Sequence, residues 1–142
     1  MDSCSPQRVF DDQTQPRIRV ECEAVLAILA SVQAGDLPLL NSEALEYEIG
    51  RIPDEIRRTE VSAILALATE RLEITDESEA LAASLERPGL SAMDAVHLAL
   101  ASVARVDYFS TCDDELLNKG MELSGVAGKF VSILDLVVEV LK

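Results

Sequence analysis

The chain has 142 residues, of which 49% are apolar and only 4% aromatic, so one domain over 1–142 has to build its core from Leu, Ile, Val and Ala. Its 26 acidic and 12 basic residues give a net charge of −14, which opposes a broad basic surface for binding a polyanion. Three widely spaced cysteines without a CxxC pair argue against a disulfide framework and against a zinc ribbon.

The first third of the chain is predicted to mix a polar loop, helices and a strand. Residues 6–15 are polar and turn-rich, which indicates a surface loop. Apolar residues spaced by four and three predict an amphipathic helix over 16–34, with a proline near its start and a glycine beyond its end. A short apolar run over 36–41 predicts a strand, and Ser42 is placed to cap the following helix, 43–51.

The middle of the chain is predicted to be mainly helical. A helix is expected from Pro53 to about Glu70. The segment 71–75, "RLEIT", is either a brief strand or only the connection into a helix that Asp76 caps and that runs through Leu85.

The last third repeats the alternation of helix and strand. The predicted elements, in order, are a helix from Ser91 capped by that serine, a strand over 106–111, a helix over 113–120 stopped by Gly120, a strand over 129–133 and a closing helix over 135–142. Short apolar strands that alternate with helices predict an α/β fold, with a parallel sheet covered on both faces. No apolar run is long enough to span a membrane, and we expect a soluble, cytoplasmic protein.

Several acids stand where elements begin or end. Asp113 follows a predicted strand, and functional groups of parallel sheets collect at the carboxyl ends of strands. Asp94 follows Ser91 at the spacing of a capping box, so it is either a helix-start acid or a ligand. Glu43 and Glu48 point about 140° apart on their helix, so only one of them can face a shared site.

His97 is the only histidine and shares a helix face with Asp94. A lone histidine on an apolar helix is usually a hydrogen-bonded structural residue, and no second His or Cys cluster completes a zinc site. The sequence also lacks a phosphate-binding GxxxxGK[ST] loop, a GxGxxG turn and a GxSxG elbow. The basic residues form two modest clusters, Arg8, Arg17 and Arg19 in one and Arg51, Arg57 and Arg58 in the other.

Four short motifs occur in the order typical of a nuclease family. They are "MDSC" with Asp2 and Ser3, "SEALEYE" with Glu43 and Glu48, "DAVHLA" with Asp94 and His97, and "TCD" with Thr111 and Asp113. In this arrangement the chain resembles the PIN domains, which include the VapC-like toxins of toxin–antitoxin pairs. The resemblance covers essentially the whole chain.

The resemblance implies a three-layer α/β/α fold, a short parallel sheet flanked by helices, and a metal-dependent endoribonuclease. It implies that Asp2, Glu48, Asp94 and Asp113 hold Mg²⁺ or Mn²⁺, with Glu43, Asp114, Ser3 and Thr111 as secondary candidates. RNA, single-stranded or structured, and an antitoxin protein are the implied partners. The alternatives are a catalytically inactive PIN-like module that binds a protein or RNA, and an acidic helical domain whose acids are caps and solvated charges.

Only Met1 precedes Asp2, so either the sequence as given starts late or the first strand of the family pattern is truncated or absent. In the second case we expect the sheet to have a gap near its middle and Asp2 to be weakly anchored. An uncovered strand edge also favours pairing with a second copy, as a homodimer or a swapped arrangement.

Overall fold

The alternation of helices and short strands is present in the computed structural model of the chain, which describes residues 1–2, 4–123, 126 and 128–141. The helices are α1 (Cys4–Gln7), α2 (Pro16–Gln33), α3 (Glu43–Gly50), α4 (Glu55–Leu65), α5 (Asp76–Leu85), α6 (Ala92–Val103), α7 (Asp114–Glu122) and α8 (Ile133–Val140). The strands are β1 (Leu40–Ser42), β2 (Glu70–Leu72), β3 (Tyr108–Thr111) and β4 (Lys129–Ser132). The α/β class predicted from the sequence is confirmed at this level. None of the helices in the described part is long and apolar enough to cross a membrane.

Serine side chains begin three of the helices. Ser42, Ser91 and Ser132 each accept a hydrogen bond from a backbone amide in the first turn, at 3.0, 3.1 and 3.0 Å. Each serine therefore supplies an acceptor for an amide that has no partner within its helix. The capping roles predicted for Ser42 and Ser91 are confirmed.

The polar loop predicted over 6–15 is only partly a loop. α1 is followed by a 3-10 turn, Arg8–Phe10, and the Phe10 ring packs against the core cluster between α3 and α4. Arg57 of α4 also contacts this segment, through the Asp11 carboxylate at 3.0 Å. Packing of the Phe10 ring and the ion pair between Arg57 and Asp11 thus order a segment whose composition is typical of a loop.

α4 ends at Leu65, so the helix predicted to about Glu70 is too long by one turn or more. After its end, the backbone N–H of Thr69 donates to the carbonyl oxygen of Leu39 at 3.1 Å, and β2 begins at the next residue. Strand pairing with β1 therefore ends the helix in spite of favourable helix propensity. The brief-strand reading of 71–75 is confirmed in its first two residues.

Three further predicted boundaries are wrong. Thr75, rather than Asp76, caps α5, because its hydroxyl and that of Ser78 form a reciprocal capping box. Gly120 does not stop α7 but lies buried inside it. α8 begins at Ile133, two residues before the predicted start, because Ser132 caps it.

The strands form two parallel pairs in place of the predicted single sheet. β1 pairs with β2 from Leu40 opposite Glu70, and β3 pairs with β4 from Tyr108 opposite Lys129. Within the described residues no strand of one pair is hydrogen-bonded to a strand of the other. The parallel sheet is therefore interrupted between the two pairs.

The core is divided among three apolar clusters. α2 and α8 pack together around Val25, Ile28 and Ile133, all at most 1% exposed. α5, α6 and β3 pack around Leu98 and Phe109 in a second cluster. α3 and α4 form a third, smaller cluster.

Candidate functional site

The Thr111 hydroxyl connects two of the predicted site acids at the carboxyl end of β3. It donates to Asp2 Oδ2 at 2.6 Å and accepts from the backbone N–H of Asp113 at 3.0 Å. Thr111 is 1% exposed, so both bonds are formed away from solvent. The N-terminal segment and the strand end are thereby held side by side.

The Asp2 carboxylate is buried and receives further donors from α1. The Cys4 thiol donates to Asp2 Oδ1 at 3.0 Å, and the Ser5 hydroxyl donates to the same oxygen at 3.3 Å. The backbone N–H of Asp2 also donates to the Ser110 carbonyl oxygen at 3.3 Å. The weak anchoring expected for Asp2 is therefore wrong in this structure, because side-chain donors hold its carboxylate.

Glu48 Oε1 and His97 Nε2 form a hydrogen bond between α3 and α6. The imidazole is buried, whereas 31% of the Glu48 side chain is exposed. His97 thus has the hydrogen-bonded role expected of a lone histidine, and it orients the predicted site glutamate.

Asp94 lies in the first turn of α6 and is half buried. Desolvation by burial raises its carboxyl pKa, and the Asp2 and Glu48 carboxylates raise the pKa further, against the lowering effects of the Ser91 hydrogen bond and of His97. The three acids are therefore close enough for their charges to interact. A carboxylate in such surroundings is stabilised by a cation or a proton.

Asp113 serves as the N-cap of α7. Its Oδ1 accepts from the backbone N–H of Glu115 at 2.9 Å and of Leu116 at 3.3 Å. Its side chain is exposed and stands at the end of β3, as the sequence predicts. Asp113 is thus tied to Asp2 only through Thr111.

The secondary candidates for the site differ in their contacts. Glu43 accepts from the backbone N–H of Ile74 at 2.9 Å, a contact with the segment after β2. Asp114 forms two hydrogen bonds of 2.8 Å with the Arg17 guanidinium, which lowers the pKa of its carboxyl. Ser3 lies outside the described residues. Glu48, rather than Glu43, is therefore the glutamate that the fold brings to the other acids.

Two thiols lie in the site and carry no obvious sequence signal. The hydrogen bond between Cys4 and Cys112, then burial and the nearby Asp2, raise the pKa of the Cys4 thiol. The same bond lowers the pKa of the Cys112 thiol, and the Ser5 hydroxyl lies 3.6 Å from that sulfur. Both cysteines are free. Their position next to Asp2 depends on α1 folding back onto β3, a contact that spacing alone does not reveal.

Arginines border the site on the α2 side. Arg8 Nε donates to Glu21 Oε1 at 3.1 Å, and Glu21 is 2% exposed. Arg17 lies 3.6 Å from the other Glu21 oxygen and also binds Asp114. The sequence gives no sign of this buried glutamate, since it occupies an ordinary acidic position of an amphipathic helix.

The predicted acids are neighbours, but their donor atoms are not gathered into one shell. Over residues 1–2, 4–123, 126 and 128–141, no group of three or more His, Cys, Asp and Glu side chains is arranged so that it could hold a metal ion. Carboxylate oxygens are nevertheless the donors that Mg²⁺ and Mn²⁺ prefer. The donor chemistry of the predicted acids therefore fits such an ion.

The chain matches no protein-family model, no curated protein and no solved structure.

Proposed function

We propose that this protein is a metal-dependent endoribonuclease of the PIN type, the toxin of a toxin–antitoxin pair. The observation that carries the proposal is the Thr111 hydroxyl that ties Asp2 to Asp113, together with the position of the half-buried Asp94 within reach of the Asp2 and Glu48 charges. Asp2, Glu48 and Asp94 come from three separate parts of the chain, and the charges of the first two act on the third. Because like charges repel, a bound cation would stabilise this arrangement.

The proposed fold is PIN-like, with three α/β/α layers and an interrupted central sheet. The order of helices and parallel pairs supports it, as does the position of the acids at strand and helix ends. A cytoplasmic location, a homodimer and an antitoxin partner belong to the same proposal.

Asp2, Glu48, Asp94 and Asp113 would hold Mg²⁺ or Mn²⁺. Such an ion supplies an activated water and stabilises the charge on a phosphodiester. His97 fixes the Glu48 carboxylate, and Thr111 fixes the Asp2 carboxylate. These contacts reduce the conformational freedom that the ligands would lose on binding the ion.

RNA must reach the site although the chain carries a net charge of −14. Arg17 lies close to Asp113, because its guanidinium binds the adjacent Asp114. Of its side chain, 59% is exposed. A phosphate that approaches Asp113 would meet this guanidinium and the bound ion. We therefore propose local contact with RNA rather than a broad basic face.

The second candidate function is a catalytically inactive PIN-like module that binds a protein or RNA. It is favoured by the protein hydrogen bonds that already occupy the acids, above all those that Asp2 receives from Thr111, Cys4 and Ser5. The lack of a preformed metal shell among the described residues also favours it.

Cleavage of a 5′-labelled single-stranded RNA distinguishes the two functions. The assay compares Mn²⁺ at a concentration of about 5 mM with EDTA. We expect Mn²⁺-dependent cleavage by the wild type and at least about a hundredfold loss in Asp113→Asn. Asn is also a good N-cap, so the variant should keep α7.

The matched control is Asp107→Asn, which removes an exposed acid just before β3, at the opposite end of that strand. It should cleave at the wild-type rate. Cleavage that survives Asp113→Asn unchanged, or that persists in EDTA, would overturn the nuclease proposal.

A further inference from the structure

A cavity of about 370 Å³ lies between the two strand pairs. Among the strands of the described residues, β1 pairs only with β2 and β3 only with β4. Residues of both β1 and β3 line the cavity, from Leu40 to Ser42 and from Tyr108 to Ser110. The edges that these two strands leave unpaired therefore face each other across it.

Backbone alternation shows which groups point to the cavity from β3. The Asp107 carbonyl oxygen accepts from Lys129 N at 3.0 Å, on the β4 side. Because successive residues of a strand direct their backbone groups to opposite edges, those of Tyr108 and Ser110 point away from β4. The bond from Asp2 N to the Ser110 oxygen, at 3.3 Å, agrees with this and shows that the edge accepts an incoming chain.

The same reasoning applies to β1. The Leu39 carbonyl oxygen accepts from Thr69 N at 3.1 Å, on the β2 side. The backbone groups of Leu40 therefore point to the cavity edge. One extended chain in the cavity could thus bond to Leu40 on one side and to Tyr108 on the other.

Apolar side chains of helices line the cavity on both faces of the gap between β1 and β3. Ile28 and Val32 of α2 and Leu136 of α8 lie among the lining residues, as do Leu100 and Ala101 of α6. A strand with helices on both faces needs a continuous apolar run rather than an alternating one. The walls thus define the side chains that an occupant must carry.

We propose that this cavity binds an extended apolar segment of a second polypeptide, which adds a strand between β1 and β3 and joins the two pairs into one sheet. Backbone bonds to an exposed edge supply affinity in this mode of recognition, and the apolar walls supply specificity.

A second copy of the chain is a poorer occupant. Each strand of the described part is already paired within its own copy, so a copy would have to unpair a strand to donate it. Glu70, Asp107 and Arg105 line the cavity, so its charged side chains are acidic on balance, and the net charge of the chain is −14. We therefore infer a partner whose apolar segment is flanked by basic residues. This inference does not depend on the nuclease proposal.

The test uses a synthetic peptide of five alternating valines and isoleucines with two lysines at each end. Its control has the same charge but a proline at the central position, which lacks an N–H and resists a central strand position. We expect amide hydrogen exchange at Leu40 and Tyr108 to slow at least about tenfold with the first peptide and not with the second.

A variant that fills the cavity provides a second, independent test. Ala101→Leu enlarges a lining side chain of α6, and Ala83→Leu makes the same change at an exposed position of α5 as the matched control. Binding should weaken at least about tenfold in the first variant and stay unchanged in the second. The comparison of the two peptides on wild-type protein stands even if Ala101→Leu folds poorly.

Equal protection by both peptides, or full binding by a folded Ala101→Leu variant, would overturn the proposal. So would protection of the Leu40 and Tyr108 amides that appears with rising protein concentration and without peptide, because it would assign the cavity to a second copy. Protection seen only when the apolar segment is fused ahead of Met1 would assign it to a covalently attached strand, and would likewise overturn it.

Discussion

Thr111 holds two of the site acids through a single buried hydroxyl. It donates to Asp2 at 2.6 Å and accepts from Asp113 N at 3.0 Å, and no solvent is available to replace either partner at a side chain 1% exposed. A buried carboxylate that loses a donor retains the full cost of its desolvation. The hydroxyl therefore contributes to stability as well as to the arrangement of the site.

We predict that Thr111→Val lowers the free energy of unfolding by about 1–3 kcal/mol, because it keeps the shape of the side chain and removes both hydrogen bonds. Thr111→Ser keeps the hydroxyl and should cost only about 1 kcal/mol for the lost methyl group. Urea denaturation followed by circular dichroism measures both. Equal stability of the valine variant and the wild type would show that the bridge has no energetic role.

The surroundings of Asp94 predict a pH dependence of a definite sign. Burial and the Asp2 and Glu48 charges raise its pKa above the ordinary value of 3.8, so folding favours the protonated acid. The stabilising contribution is complete below 3.8 and is lost as the pH rises through the higher folded pKa. At neutral pH the ionised Asp94 thus destabilises the metal-free fold.

Asp94→Asn is therefore expected to raise the Tm of the metal-free protein by about 2 °C at pH 7. The difference should shrink as the pH falls toward 3.8, where both side chains are neutral. Thermal unfolding in EDTA at a series of pH values measures it, with Asp107→Asn as the charge-matched control. A lower Tm at pH 7 for Asp94→Asn than for Asp107→Asn would contradict the interpretation.

The sequence predicts a set of candidate site acids but not the contacts that hold each of them. Asp94 and Asp113 follow from helix and strand boundaries, and Glu48 follows from the geometry of one helix. The hydrogen bond from Thr111 to Asp2 does not follow from the sequence, because it joins the end of β3 to a residue 109 positions away. Contacts between residues more than one hundred positions apart leave no periodic trace in a sequence.

Among the secondary-structure elements, α7 shows most clearly how packing changes a predicted boundary, at Gly120. Its position in the chain is typical of a helix stop, yet α7 continues through it to Glu122. A Cβ on Gly120 would stand 3.0 Å from the Phe130 ring, closer than ordinary packing allows. Close packing of α7 on β4 therefore explains this glycine, and packing partners of this kind are invisible to local rules.

We predict that Gly120→Ala destabilises the protein by about 1–3 kcal/mol through overpacking against Phe130. Adding Phe130→Leu should recover part of the loss, so the two changes should be non-additive in a double-mutant cycle. Gly50→Ala is the matched control: nothing lies within 4 Å of its added Cβ, and it should be neutral or stabilise by up to about 1 kcal/mol. Equal effects at both glycines would exclude packing as the cause.

The early end of α4 also results from contact with a distant segment. Helix propensity continues beyond Leu65, but the hydrogen bond between Thr69 and Leu39 begins the β1–β2 pairing and ends α4. Element types could thus be predicted along most of the chain, because periodicity and caps are local. Element ends could not, because pairing and packing with distant segments decide them.

At the scale of the whole molecule, two features belong together. The strands form two separate pairs, and Asp2 bonds to the Ser110 backbone on the edge of β3 that faces the division. His97 both lines the cavity and binds Glu48, so the cavity and the site share a wall. An added strand would therefore lie against the residues that position the acids.

The net charge of −14 makes cation binding the natural counterpart of this arrangement. An ion that binds the folded state alone stabilises it by about 2.7 kcal/mol at one hundred times its Kd. If the four candidate acids form one metal site, such an ion should bind, whereas acids that serve only as caps predict none. A metal site and a set of capping acids thus differ in the stabilisation expected from a divalent cation.

The most direct test is the Tm of the protein as a function of Mn²⁺ concentration, compared among wild type, Asp113→Asn and Asp107→Asn. We predict a Tm that rises by several degrees at millimolar Mn²⁺ in wild type and Asp107→Asn, and a rise that is largely lost in Asp113→Asn. An unchanged Tm in wild type, or an equal rise in all three proteins, would contradict the assignment of Asp2, Glu48, Asp94 and Asp113 as a divalent metal site.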